Sequence, residues 1–147
     1  EDAQIGYPPV RLMSPPDMQW QTWYLGFRKA MEALLTGDAM TGIEAVDSGF
    51  ANKAFSVNEL DDEVTAIAAR IAKIPSDLLA LNKRSVHRAM EAMGVREGIR
   101  ATAEIQALGF HQKSSKEYMK RFKDEGVSKT LSGRDRPFGD YREKDSK

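Results

Sequence analysis

The chain has 147 residues, 41% of them hydrophobic, enough for one domain with a sizeable core and too few for two. Its 22 basic side chains balance 22 acidic ones, so no net field draws it to nucleic acid or to an anionic membrane surface, and neither is expected as a partner. The absence of cysteine excludes disulfides, thiolate metal sites and a cysteine nucleophile, and fits a reducing, cytoplasmic setting.

Residues 4–6 read as a strand that stops at Pro8 and Pro9, which donate no backbone hydrogen bond and hold the chain extended. Residues 11–16 follow as a loop, and Asp17 is placed to cap a helix over 18–25 that Gly26 breaks. The next helix carries Phe27, Met31, Leu34 and Leu35 at helical spacing and ends at Gly37. Thr41 can cap a short helix through Glu44 that Gly49 ends, and residues 50–57 alternate in part, as a strand or extended segment would.

From Asn58 the pattern is helical. Leu60, Val64, Ile67, Ile71 and Ile74 recur at steps of four and three and stop at Pro75. Pro75 opens and Gly94 closes the next helix, the asymmetry expected of helix ends. Val95, Ile99 and Thr102 share one face of the helix after it, and Ser114 with Glu117 reads as a capping box ahead of Tyr118 and Phe122. A further turn of helix follows Gly126, and the end of the chain is charged and poor in apolar residues. The chain therefore divides into a mixed α/β part over 1–57, a helical region over 58–131 and a charged tail over 132–147. Apolar faces exceed what one small bundle buries, so part of that surface is expected to meet another subunit.

Few residues announce chemistry by type and spacing alone. His87 with Glu91 has the only helical spacing that suits a metal, and an exposed ion pair explains it as well, so no metal is expected. Residues 36–38 (TGD) lack the further glycines and the lysine of a phosphate loop. Trp20, Trp23 and Tyr24 form an aromatic stripe that either packs in a core or lines an apolar pocket. Asp61 and Asp62 suit the positive end of a helix, and the basic run from Lys113 to Lys123 is broken by acids, as a solvated face would be.

The order and spacing of several segments resemble the enoyl-CoA hydratase/isomerase (crotonase) superfamily. They are Leu35-Thr36-Gly37-Asp38, the short helix Glu44-Ala45 with Gly49, and Ile71-Ala72 before Ile74-Pro75, with Lys83 eight residues on. The opening AQIGYPPV is similar to that family's A-x-F-G-x-P-E-I strand. The resemblance covers nearly the whole chain but only the second half of a typical member, and the chain opens on Glu1 almost inside a strand, so a longer protein is expected. It implies the end of a crotonase-like ββα core followed by a helical region that builds trimers or hexamers.

The resemblance also implies acyl-CoA thioesters as substrates, with coenzyme A entering as part of the substrate and no separate cofactor. Two backbone NH groups polarise the thioester carbonyl in such proteins, and these, with the first catalytic acid, belong to segments ahead of this chain. The N-terminal half of the same fold is thus an expected partner. The second acid, the glutamate of G-x-P-E-I, corresponds to Pro9, which offers no titratable atom. Tyr7 and Asp17 are the catalytic candidates left nearby, and Tyr7, Pro9, Val10, Arg11 and Trp20 are expected to line the acyl pocket. Asp17 is better explained as a helix cap. Gly126-Val127-Ser128 matches the start of the family's G-x-S-A-F, which places Lys129 and Arg134 at the nucleotide end of CoA. Two other readings stay open: a non-catalytic acyl-CoA-binding or assembly subunit, and an independent helical interaction module.

Overall fold

The computed structural model describes residues 1–18 and 20–139. After a 3-10 turn at Pro8–Arg11, the chain forms α1 (Trp20–Thr36), α2 (Gly42–Asp47), α3 (Leu60–Ile71), α4 (Ser76–Ala92), α5 (Val95–Phe110), α6 (Lys113–Glu125) and α7 (Val127–Asp135), then a second 3-10 turn at Arg136–Phe138. No helix among the described residues is long and apolar enough to cross a membrane.

Local signals set most helix ends. Gly26, at φ 71° and ψ 166°, breaks α1 into two helical stretches, a conformation an L side chain rarely adopts. Thr41 closes a full capping box on α2: its hydroxyl accepts from the Glu44 backbone NH, and the Glu44 carboxylate accepts from the Thr41 NH at 2.7 Å. Pro75 stands just ahead of α4, and Gly94, left-handed at φ 90°, turns α4 into α5.

Four expectations need correction. The opening strand reduces to one antiparallel bridge, Ile5 with Met40, closed by two 2.9 Å hydrogen bonds. Prolines follow within three residues on one side and α2 begins two residues on at the other, so the ladder cannot lengthen. Residues 50–57 pair with no strand among the described residues, so the strand alternative falls: 50–52 bend, 53–56 have no regular structure and 57 enters a turn. The Ser114–Glu117 box does not form, because α6 starts at Lys113 and draws Glu117 into an exposed ion pair with Lys113 at 3.8 Å. The charged tail is ordered at its start: residues 132–135 complete α7, with Arg134 and Asp135 buried, while 140–147 lie outside the described residues.

Burial is uneven. Ala30, Ala45 and Tyr118 are the buried hydrophobic residues among those described, whereas Phe27, Met31 and Leu35 on one stripe of α1 stay exposed. The aliphatic stripe of α3 behaves alike, with Leu60, Val64 and Ile71 each about half exposed. Both helices thus carry amphipathic faces that the described residues do not cover. What the chain does pack is the loop over 12–18. Thr102 on α5 donates its hydroxyl to the Asp17 carbonyl, and Gly109 lies where a Cβ would stand 3.1 Å from both Pro15 and Ser14. Tyr24 meets Phe50 edge to face at 5.8 Å, tying α1 to the segment after α2.

Candidate functional site

Two local facts shape the segment from Tyr7 to Ser14. Consecutive prolines fix φ near the value a 3-10 turn needs, and the chain coils at Pro8–Arg11. The Pro9 carbonyl then accepts from the NH groups of Leu12 (3.3 Å), Met13 (2.8 Å) and Ser14 (3.2 Å). Three donors on one acceptor hold the turn closed. Tyr7, Pro8, Pro9 and Val10 are all half-buried. The turn offers no carboxylate.

Arg11, expected on the pocket wall, takes a different place. Its side chain is 1% exposed, with Nη2 3.0 Å from Asp38 Oδ1 and Nη1 3.3 Å from Asp135 Oδ1. Its Nε donates to the Thr36 carbonyl at 2.9 Å, and the guanidinium carbon lies 3.9 Å from the centre of the Phe138 ring. A guanidinium so engaged is a structural fastener, not a group offered to a substrate.

Trp20 is placed elsewhere again. With Met18, Trp23, Val95, Ile99 and Thr102 it lines a cavity of about 140 Å³ between the start of α1 and α5. Two residues of the aromatic stripe, Trp20 and Trp23, line this cavity while Tyr24 turns to Phe50, and the α5 side of it is signalled only by the shared helical face of Val95, Ile99 and Thr102. The expected wall therefore divides into a Tyr7–Arg11 turn and a separate Trp20 cavity. Asp17 is exposed and stands three residues ahead of α1, so it does not occupy the cap position; its carbonyl serves Thr102.

Lys129 is exposed on α7, as a phosphate contact requires, but Arg134 is not. The Arg134 guanidinium is buried and donates to both Asp135 oxygens at 2.7 Å. That pairing holds its pKa above the ordinary arginine value, against the opposing effect of burial. Tyr118, on the facing turn of α6, is 2% exposed, and burial pushes its hydroxyl above the ordinary tyrosine value, with Arg134 opposing. Of the other residues considered for chemistry, Glu91 is paired with Arg96 at 3.1 Å on the surface rather than with His87.

A second cavity, about 220 Å³, lies between α1 and α2, with Leu25 and Met40 in its floor and Lys29, Glu32, Asp38 and Glu44 around it. The mixture of apolar floor and alternating charge gives it no single ligand class.

The sequence model of the enoyl-CoA hydratase/isomerase family matches residues 1–129. A probable mitochondrial enoyl-CoA hydratase of Dictyostelium discoideum is 33% identical over 125 residues, 83% of this chain and 45% of that protein. The crystal structure of enoyl-CoA hydratase from Mycobacterium smegmatis superposes with a TM-score of 0.91 at 29% identity, over 95% of this chain and 48% of the other. An enoyl-CoA hydratase/isomerase from Xanthobacter autotrophicus gives 0.85 at 25% identity. The chain spans about half the length of these relatives.

Proposed function

The chain belongs to the enoyl-CoA hydratase/isomerase family, and from that premise we propose that it forms part of a protein acting on acyl-CoA thioesters, with Pro9 where hydratases keep their second catalytic glutamate. The observation that carries the reading is the Tyr7–Arg11 turn. In this reading it takes the family's acid position, and its backbone is closed on the Pro9 carbonyl.

Hydration of an enoyl thioester needs a base to take a proton from water and an acid to deliver one to carbon. Pro9 does neither, and Arg11 is held by two carboxylates. The donors that stabilise charge on the thioester oxygen are assigned to the N-terminal half of the same fold. These residues alone therefore perform no hydration. In this reading Tyr7, Pro9 and Val10 form one wall of the acyl pocket and Trp20 extends it through the α1–α5 cavity. Lys129 meets a CoA phosphate, while Arg134 serves to hold α7. The uncovered stripes of α1 and α3 support contact with the missing half and with further copies in a trimer or hexamer.

The second reading, a non-catalytic acyl-CoA-binding or assembly subunit, is favoured by the same proline. Loss of enoyl absorbance on crotonyl-CoA, with butyryl-CoA binding by calorimetry, separates the two. The chain alone should show no turnover, and measurable hydration by it would overturn the division of labour argued above. With the N-terminal half present, turnover that does not require Pro9→Glu supports catalysis, whereas acyl-CoA binding without turnover supports the second reading.

A further inference from the structure

Arg11 joins three segments that are far apart in the chain. One is its own turn, two residues after Pro9. The second is the end of α1, through the Thr36 carbonyl and Asp38. The third is the end of α7, through Asp135 and the stacked Phe138 ring. Asp135, itself 2% exposed, is shared with Arg134, so among the described residues two guanidiniums and two carboxylates form one network. Only Asp38 reaches solvent, at 61% side-chain exposure.

A buried network of this kind adds little stability over well-packed apolar residues of the same volume, because desolvation offsets most of the attraction. Its distinct property is direction. The planar fork of a guanidinium meets acceptors at fixed angles, so acceptors at the last residue of α1, in the loop after it and on α7 leave its Cα little freedom. A residue at position 11 that only filled space would leave the Tyr7–Val10 turn free to slide on α1.

We propose that Arg11 is a positioning residue that locks the Tyr7–Pro9–Val10 turn to α7, so that the acyl wall and the C-terminal helix shift together. Its consequence for ligands rests on the acyl-CoA reading: a CoA phosphate engaged on α7 would then be felt at the wall. The lock itself does not depend on that reading.

Hydrogen exchange by mass spectrometry on the full chain tests it, comparing wild type with Asp135→Asn and Arg11→Lys. Asp135→Asn should speed exchange of the Leu12, Met13 and Ser14 amides about tenfold, as local opening of the turn would, and leave α4 unchanged. Arg11→Lys keeps the charge but not the fork, and should speed the amides over 130–135 by a similar factor. Should Asp135→Asn fail to fold, this second variant alone decides. Faster exchange confined to the mutated segment, or raised equally in α4, overturns the proposal, the latter because simple loss of stability acts everywhere. Free CoA added to wild type should slow exchange at 12–14. Absence of that protection, with the variant pattern intact, sinks the acyl-CoA reading and leaves the lock standing.

Discussion

Gly37 lies directly beneath Arg11: a Cβ at Gly37 would stand 2.9 Å from Arg11 Nε and 3.0 Å from Val10 Cγ2. Its φ of +73° would strain any L side chain, and the side chain it must clear is buried and fastened on three sides. Gly94 offers the control, with φ +90° and nothing within 4 Å. Gly94→Ala should cost about 1 kcal/mol from backbone strain alone. Gly37→Ala should cost about 3 kcal/mol, since the Arg11 network has to shift as well. Urea unfolding of both variants measures the difference, and equal losses would show that the crowding beneath Arg11 carries no energy.

Removal of Arg11 itself differs in kind from removal of its exposed partner. Arg11→Met leaves Asp135 buried with Arg134 as its one remaining ion-pair partner among the described residues, and should destabilise the chain by about 3 kcal/mol. Asp38→Asn acts on a carboxylate that water already screens, and should cost no more than about 1 kcal/mol. Denaturant midpoints for the two variants check this ordering, and a larger loss in Asp38→Asn would place the energetic centre of the network at α1 instead of α7.

Legibility in the sequence followed the range of the interaction. The break at Gly26, the Thr41–Glu44 box and the Gly94 turn depend on residues a few positions apart, and each was readable from spacing. The Ser114–Glu117 pattern shows the limit of such signals: the residues suit a box, but the helix starts at Lys113, and Ser115 is buried one turn ahead of Tyr118. Arg11, Asp38 and Asp135 could not be joined by any local rule, since 27 and 124 residues separate the pairs. The expectation that Arg11 lines the pocket rests on its place two positions from Pro9, whereas the partners it meets at 38 and 135 carry no local signal. The Trp20 cavity was half legible, as two separate helical faces whose meeting only the fold supplies.

The α2 box carries an acid dependence. Backbone and side-chain hydrogen bonds from Thr41, in that order, hold the Glu44 carboxyl below its ordinary value of 4.5. A depressed carboxyl stabilises the fold above its unfolded value, and that contribution fades as pH falls through the lower folded value. Glu44→Gln should therefore be less stable than wild type at neutral pH, with the gap closing as pH falls below 4.5 and through the lower folded value. Thr41→Ala removes the reciprocal half of the box and should cost about 1 kcal/mol. Thermal midpoints across an acid series test both, and a Glu44→Gln gap that persists unchanged at low pH would mean that the charge is not what the box uses.

Tyr118 sets the opposite limb. Desolvation raises its hydroxyl above the ordinary value of 10.0, with Arg134 opposing and Asp135 reinforcing. A group whose folded value is raised contributes stability that is whole below the unfolded value and is lost as pH rises through the folded one. In the wild type this loss begins near pH 10, where the unfolded chain releases the proton that the folded chain retains. Tyr118→Phe keeps the ring against Phe122, a 5.0 Å edge-to-face contact, and removes the proton. Its unfolding free energy should therefore fall less steeply above pH 10 than that of the wild type. Tyrosinate absorbance in the same titration should lose its most alkaline phase. Parallel alkaline limbs in the two proteins would show that the hydroxyl is reached by water, and that the polar cluster between α6 and α7 is looser than its burial implies.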